Sequence, residues 1–228
     1  MRADEKPEGD LQPPIKTRVA DAALVRRRRQ QIASAAVELF SDRGYYRTTV
    51  QDVADKAGVS AGLIYQYFQD KDDILLVAIL EVIESYRTEI PASMVGLSDP
   101  LVRFREAVAT YCRVVDARRE ATVLAYRSTK SLPAERRRLI MEAETETNNL
   151  IAECIQACVD SGLFRQLDVE FVTYQLVMFA HSWALKHWRL SRKYTIEQYI
   201  EQGLSLYMAA CLSQAGWRHL PSVLPDRQ

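Results

Sequence analysis

Residues 32–75 read IASAAVELFSDRGYYRTTVQDVADKAGVSAGLIYQYFQDKDDIL, and the reading of this stretch decides the fold. Ile32, Ala35, Ala36, Leu39 and Phe40 recur at helical spacing, and Gly44 follows as a residue able to take the positive φ at which helices end. A first helix over about residues 22–43 is therefore predicted. Thr49 then offers an N-cap oxygen, with Asp52 three residues on as in a capping box, and Val50, Val53, Ala54 and Ala57 share one face. This second helix stops at Gly58, Val59 plugs the angle, and Ser60 is placed to cap a third helix of barely two turns, Ala61 to Phe68. Two helices joined by a glycine turn, the second short and serine-capped, form the pattern in which the second helix enters a DNA major groove. A helical hairpin with no such role has the same spacing, so the spacing alone leaves both readings open.

Working outward, hydrophobic residues make up 48% of the 228, while Gly and Pro number only 8 each. That balance favours an ordered, all-α protein over many short strands. The net charge is zero but uneven: residues 16–71 carry ten Lys/Arg against six Asp/Glu, with Arg26, Arg27, Arg28 and Arg29 the densest run. An anionic partner for this end is one reading, and a solvated helix face is the commoner one. Cys112, Cys154, Cys158 and Cys211 are too few for a disulfide framework, and with no secretory signal a reducing cytoplasm is the expected compartment. Cys154 and Cys158, one turn apart, read first as small buried residues rather than as metal ligands or redox sensors. No metal site, cofactor or catalytic residue is expected, and no apolar run approaches the roughly 20 residues of a membrane span.

Residues 1–20, with Pro7, Pro13 and Pro14, read as a flexible tail, 21–70 as the DNA-binding domain, 71–217 as a second helical domain and 218–228 as a C-terminal tail. Past Asp70 the helical patterns run from Lys71 to Ile90, where Pro91 and Gly96 break it, then over about 99–117, 119–130, 133–161, 168–190 and 195–214. The total is about nine helices.

The ordered set "A…LF…G…T…DVA…AGVS.G.IY.YF..K..L" within residues 32–75, about a fifth of the chain, resembles the DNA-binding domain of the tetracycline-repressor-like (TetR) family. The resemblance implies a ligand-responsive regulator, most commonly a repressor, that binds operator DNA as a homodimer and leaves it when a small-molecule effector enters the C-terminal domain. It also implies roles. Thr49 would offer its hydroxyl and a helix N-terminus to a phosphate. Ser60, Ala61 and Gly62 would let the backbone approach the DNA, with Ala61 against a thymine methyl, and Gln66 would read adenine. Tyr65 and Tyr67 match positions contacting phosphate or base edges, each with packing under the helix as its alternative, and Lys71 matches a phosphate clamp. Arg26 to Arg29 and Arg47 would add phosphate contacts. Many members carry Lys or Arg where this chain has Ala61, which leaves the operator sequence open.

In the 168–190 segment, Phe171, Tyr174, Met178, His181, Leu185 and Trp188 alternate by three and four, while Val172, Leu176, Phe179 and Trp183 make other faces apolar. A helix apolar nearly all round must be covered on two sides, plausibly by its own copy in a second subunit. Phe171, Tyr174, Met178, Leu185 and Trp188, with Ile200, Leu204 and Tyr207 from the last helix, are the expected dimer interface. Tyr111, Tyr126, Asn148, Phe179, His181 and Trp183 are the expected effector pocket, although core packing is the default for the aromatic residues and for His181. The stretch from Ala125 to Ile200 is similar to regulators of fatty-acid or aromatic-acid catabolism, whose effectors are often acyl-CoA thioesters. Arg127, Lys130, Arg136 and Arg137 would then meet the CoA phosphates, surface pairing being their ordinary role.

Two other classes compete. An enzyme could use Glu142, Glu144, Glu146, His181 and His187 as acid and base groups, but there is no nucleophile motif, metal spacing or phosphate-cradling loop. An architectural DNA binder without an effector would not need the two thirds of the chain outside the DNA-binding module.

Overall fold

A computed structural model describes residues 15, 17 and 19–222; all of its regular elements are helical. In chain order they are α1 (Ala22–Arg43), α2 (Val50–Ala57), α3 (Ala61–Tyr67), α4 (Lys71–Ser93), α5 (Pro100–Ala117), α6 (Arg119–Ser128), α7 (Ala134–Asp160), α8 (Val169–Leu185), α9 (His187–Leu190), α10 (Ile196–Cys211) and α11 (Gln214–His219). Short 3-10 turns follow α6 at Thr129–Ser131 and α11 at Leu220–Ser222. Two helices more than the expected nine arise because Lys186 divides the 168–190 pattern and because the stretch ending the second domain folds as α11. Pro91 does not end α4, which runs to Ser93. A proline in the last turn removes a single backbone bond, and its own carbonyl accepts from Met94 N at 3.1 Å. Gly96, at φ 80°, lies in the turn that follows.

Two compact units result, one of residues up to Glu84 with Leu124–Ala143, the other of Ser85–Val123 with Glu144 onward. The first unit is larger than a boundary at residue 70 would make it. One long helix and two short ones bury too little apolar surface to stand alone. The first half of α4, buried from Ile74 through Leu80, and Leu124, Leu132, Ile140 and Ala143 complete their core.

Part of the expected N-terminal tail belongs to this core as well. Ile15 is buried, Val19 packs against the same cluster, and Thr17 Oγ1 donates to Gln66 O at 3.0 Å. The fastening is Arg29, which is buried instead of facing solvent, donates to Ile15 O at 2.8 Å and Tyr67 O at 3.3 Å, and lies over the Phe68 ring. Burial lowers its pKa, opposed by Asp73. Residues 1–14, 16 and 18, and 223–228 of the expected C-terminal tail, lie outside the described residues; Arg218 and His219 of that tail are helical, and His219 Nε2 meets Asp99 Oδ2 at 2.5 Å.

In the second unit α5 packs on α8 and α10. Phe104 meets Phe164 edge-on, Tyr86 stacks on Tyr111 at 4.2 Å, and Phe179 stacks on Tyr199 at 4.5 Å. Gly203 of α10 admits the Phe179 ring, since a Cβ there would fall 2.0 Å from Phe179 Cζ. Gly203→Ala is therefore expected to lower stability by about 1–3 kcal/mol through overpacking, against the usual helix-propensity gain of alanine. Chemical denaturation checks this, and a variant as stable as the parent would show that the ring yields freely.

Candidate nucleic-acid interface and effector core

The first unit presents a helix-turn-helix whose ends are chemically fixed. Thr49 and Asp52 form a reciprocal capping box on α2, the carboxylate accepting from Thr49 N at 2.8 Å and Thr49 Oγ1 accepting from Asp52 N at 3.1 Å. The Thr49 hydroxyl proton goes to Asp52 Oδ2 at 2.6 Å, and these bonds hold the Asp52 carboxyl below its ordinary range. Gly58, at φ 68°, makes the turn, and Ser60 Oγ accepts from Leu63 N at 3.1 Å to cap α3.

On α3 the two faces separate cleanly. Ile64 is buried and the adjoining Phe68 lies beneath it, whereas Gly62, Tyr65 and Gln66, with Gln69 just beyond, are exposed at spacings of three and four. Tyr65 is 51% exposed and Tyr67 only 3%. Tyr67 thus cannot reach a groove: its position in the helix turns the ring into the core, and its alternative reading as packing is the correct one. Ser60 is exposed and Ala61 half-buried. A Cβ on Gly62 would meet nothing closer than Ser60 Oγ at 3.9 Å, so packing does not require glycine there.

Lys71 is occupied within the chain. Its Nζ donates to Tyr45 O at 2.8 Å and Thr48 O at 3.0 Å and sits 4.3 Å from the Tyr45 ring centroid, tying the α1–α2 turn to the start of α4. The clamp expected for DNA is thus already a clamp on the protein's own turn. Close by, Arg136 of α7 meets Asp73 at 2.6 Å, Asp70 at 3.0 Å and Asp72 at 3.2 Å, and Tyr45 donates to Asp72. Burial raises the Asp73 carboxyl against the pull of Gln69 N–H and Arg136. Arg136 is accordingly bound up with α4, and Arg137 donates to Leu132 O at 2.6 Å. Sequence reasoning missed Tyr46, the exposed member of the Tyr45–Tyr46 pair at 80% exposure; Tyr45 takes the inner place by meeting Phe40 edge-on at 5.1 Å.

In the second unit, the residues expected to line one pocket divide. Tyr111 lines a crevice too narrow to admit a water molecule, with Val108, Ile151, Leu176, Val177 and Ala180, and its hydroxyl lies 3.3 Å from His181 Nε2. Asn148 is buried on α7. Phe179 and Trp183 instead pack with Tyr199, and Trp183 Nε1 donates to Asp116 Oδ1 at 2.7 Å, because their side of α8 faces α10 and α5. Tyr126 is exposed on α6 and belongs to the first unit.

The expected dimer residues divide too. Phe171, Tyr174, Met178 and Trp188 are exposed, Phe171 and Trp188 at 62% and 67%, with Leu185 half-buried beside them. Ile200 and Leu204 are buried under α10, whose inner face packs on α5, and Tyr207 is half-buried with its hydroxyl donating to Gln175 O at 3.0 Å. Leu206, not among the expected residues, is 69% exposed on the outer face of α10.

Comparison with known proteins bears on this arrangement. The family model for "Bacterial regulatory proteins, tetR family" matches residues 32–78, and that for "Tetracyclin repressor-like, C-terminal domain" matches 98–205. The HTH-type transcriptional regulator HbdR of Aromatoleum sp. is 50% identical over 202 residues, covering 89% of this chain and 88% of its own. The chain belongs to the TetR family of bacterial transcription regulators. KstR2 of Rhodococcus jostii, an HTH-type transcriptional repressor, is 32% identical over 79% of this chain and 89% of its own. Among solved structures the fold matches AibR in complex with isovaleryl coenzyme A and operator DNA (TM-score 0.68, 18% identity, 78% of this chain and 97% of that one). It also matches the fatty acid degradation regulator FadR of Bacillus halodurans (TM-score 0.67, 23% identity, 79% and 94%). This TetR-family regulator therefore carries a DNA-binding helix-turn-helix in its first unit.

Burial also governs the titrating groups of the second unit. It pushes the thiols of Cys154 and Cys158 up, to about 11 and about 12, and holds these buried, unpaired cysteines protonated. His181 is pushed down to about 4 from 6.5. Between those pH values the unfolded chain binds the proton and the folded one does not, so stability rises with pH across the window and is lost as pH falls through it. His181→Gln is expected to flatten the dependence of the denaturation midpoint on pH between 6.5 and 4; an undiminished slope would place the acid sensitivity elsewhere.

Proposed function

We propose that this protein is a homodimeric repressor that reads its operator with the exposed edge of α3 and is released by a small hydrophobic effector, an acyl-CoA being the leading class. The observation that carries the DNA-reading part is Gly62. In a short helix a glycine destabilises by about 0.8–1 kcal/mol relative to alanine, and the open space around it shows that the fold does not need it. Close approach of the helix to DNA accounts for its presence. Gln66 and Tyr65 flank it on the same edge, suited to a base amide contact and a phosphate or base-edge contact. Thr49 and Ser60 supply helix N-termini, and Tyr46 and Arg47 on the α1–α2 turn are further phosphate partners.

Dimerisation is supported by the exposed apolar set Phe171, Tyr174, Met178, Trp188 and Leu206, which water covers at a cost in the lone chain. A second copy also supplies the second reading head that one two-turn helix needs for a specificity of about 4–10 kcal/mol. An acyl-CoA effector is supported by AibR, whose solved complex holds isovaleryl coenzyme A, and by the likeness to FadR. The chain itself offers the connection for release, since α4, α6 and α7 each contribute residues to both units. The effector must bind more tightly to the conformation that does not hold DNA. A cytoplasmic location and the absence of catalysis go with this reading.

Gln66→Ala and Tyr65→Ala are expected to weaken binding to the cognate operator by about 1–3 kcal/mol while leaving binding to random DNA nearly unchanged. Equal losses on both, read by fluorescence anisotropy at fixed salt, would remove base reading from this edge. Gly62→Ala should leave the melting temperature equal or higher and still reduce operator affinity. For assembly, Phe171→Glu with Trp188→Glu is expected to yield a folded monomer in sedimentation that no longer binds the operator; a persistent dimer would move the interface away from α8. A panel of acyl-CoAs that leaves the operator complex intact at saturation would reject the effector class.

A further inference from the structure

Asn148 is 4% exposed, and neither its Nδ2 nor its Oδ1 has a hydrogen-bond partner among the described residues. A buried amide with both a free donor and a free acceptor is unfavourable, and folded proteins keep such groups where a partner from outside the chain satisfies them. Three residues along α7, Ile151 lines the narrow crevice beside Tyr111. One turn in the other direction is Glu144, whose carboxyl is raised by burial. His181 of α8, next to Tyr111, is neutral at pH 7. Among the described residues of this unit no lysine or arginine is buried.

We propose that Asn148 recognises the end of the effector that enters this core, and that this end is uncharged and carries a group that both donates and accepts a hydrogen bond, such as a hydroxyl. The proposal rests on the reading of the second unit as the effector domain and specifies its chemistry. A carboxylate is disfavoured because it would leave water without a countercharge and approach Glu144. A purely hydrocarbon end leaves the amide as unsatisfied as before. An ammonium group only donates and would leave Asn148 Nδ2 without an acceptor. A hydroxyl accepts from Nδ2 and donates to Oδ1, matching what Asn148 lacks. The crevice beside Tyr111 admits no water molecule as it stands, so any group that enters requires the helices around it to part.

Three fragments of one shape separate these chemistries: phenol, toluene and benzoate, titrated at pH 7.5 into the full chain and followed by NMR, including the Asn148 side-chain amide resonances. Phenol is expected to bind and shift those resonances, toluene to bind more weakly, and benzoate not to bind. Asn148→Leu should weaken phenol by about tenfold or more while toluene binds at least as well; if that variant does not fold, Asn148→Ala is read in the same way. Benzoate binding as tightly as phenol, phenol affinity unchanged by either substitution, or no binding of any fragment overturns the proposal. Release of operator by acyl-CoAs alongside such a negative result would leave the repressor reading intact and sink only the role of Asn148. Fragment binding as expected, with no acyl-CoA releasing the operator, would do the reverse.

Discussion

The recognition helix depends on how its two ends are held. Seven residues of helix are unstable by themselves, because nucleation consumes the first turn and few hydrogen bonds follow. Ser60 fixes one end. At the other, Arg29 gathers Tyr67 O and Ile15 O with one guanidinium and covers Phe68, so the last turn of α3, the chain before α1 and α1 itself are joined at one buried charge. Hydrogen bonds from a charged donor contribute about 1.5–3 kcal/mol each, enough to set the orientation of a two-turn helix. With α3 held from within, its outer edge is free of structural duties.

The same economy of position recurs at Lys71 and Arg136. Both are cations near a surface expected to meet anions, and both are consumed internally, Lys71 by two carbonyls and an aromatic face, Arg136 by three aspartates at the start of α4. Those aspartates lie at a helix N-terminus, where negative charge is favourable, and the arginine offsets their mutual repulsion. The start of α4 is thereby linked to the α1–α2 turn through Tyr45 and to α7 through Arg136. A displacement of α4 would be felt at the turn that carries Tyr46, Arg47 and Thr49.

Much of the first unit was legible in the chain because its signals are local. Thr49 with Asp52, Gly58, and Ser60 with Leu63 each satisfy a backbone requirement within four residues, so the turn and both caps follow from spacing. Tyr65 and Tyr67 were not separable in that way: two residues apart on a helix, either could face inward until the core beneath α3 is known. Arg29 looked like its three neighbours Arg26 to Arg28 because a charge run carries no mark of the member that will be buried. In the second unit, α8 and α10 are apolar on more than one face, and periodicity cannot say which face looks inward; hence Ile200 and Leu204 went to the interior and Leu206 outside.

Sequence by itself determined the all-helical fold, the order of its helices, the helix-turn-helix and the family, because capping, turn geometry and helical period act over a few residues. Tertiary structure decided which residues of those helices are available. It buried Tyr67 and Arg29, turned Lys71 and Arg136 inward, exposed Tyr46 and Leu206, and left the enclosed Asn148 amide without a hydrogen-bond partner among the described residues. Burial is set by what arrives from distant parts of the chain, and no local pattern encodes it.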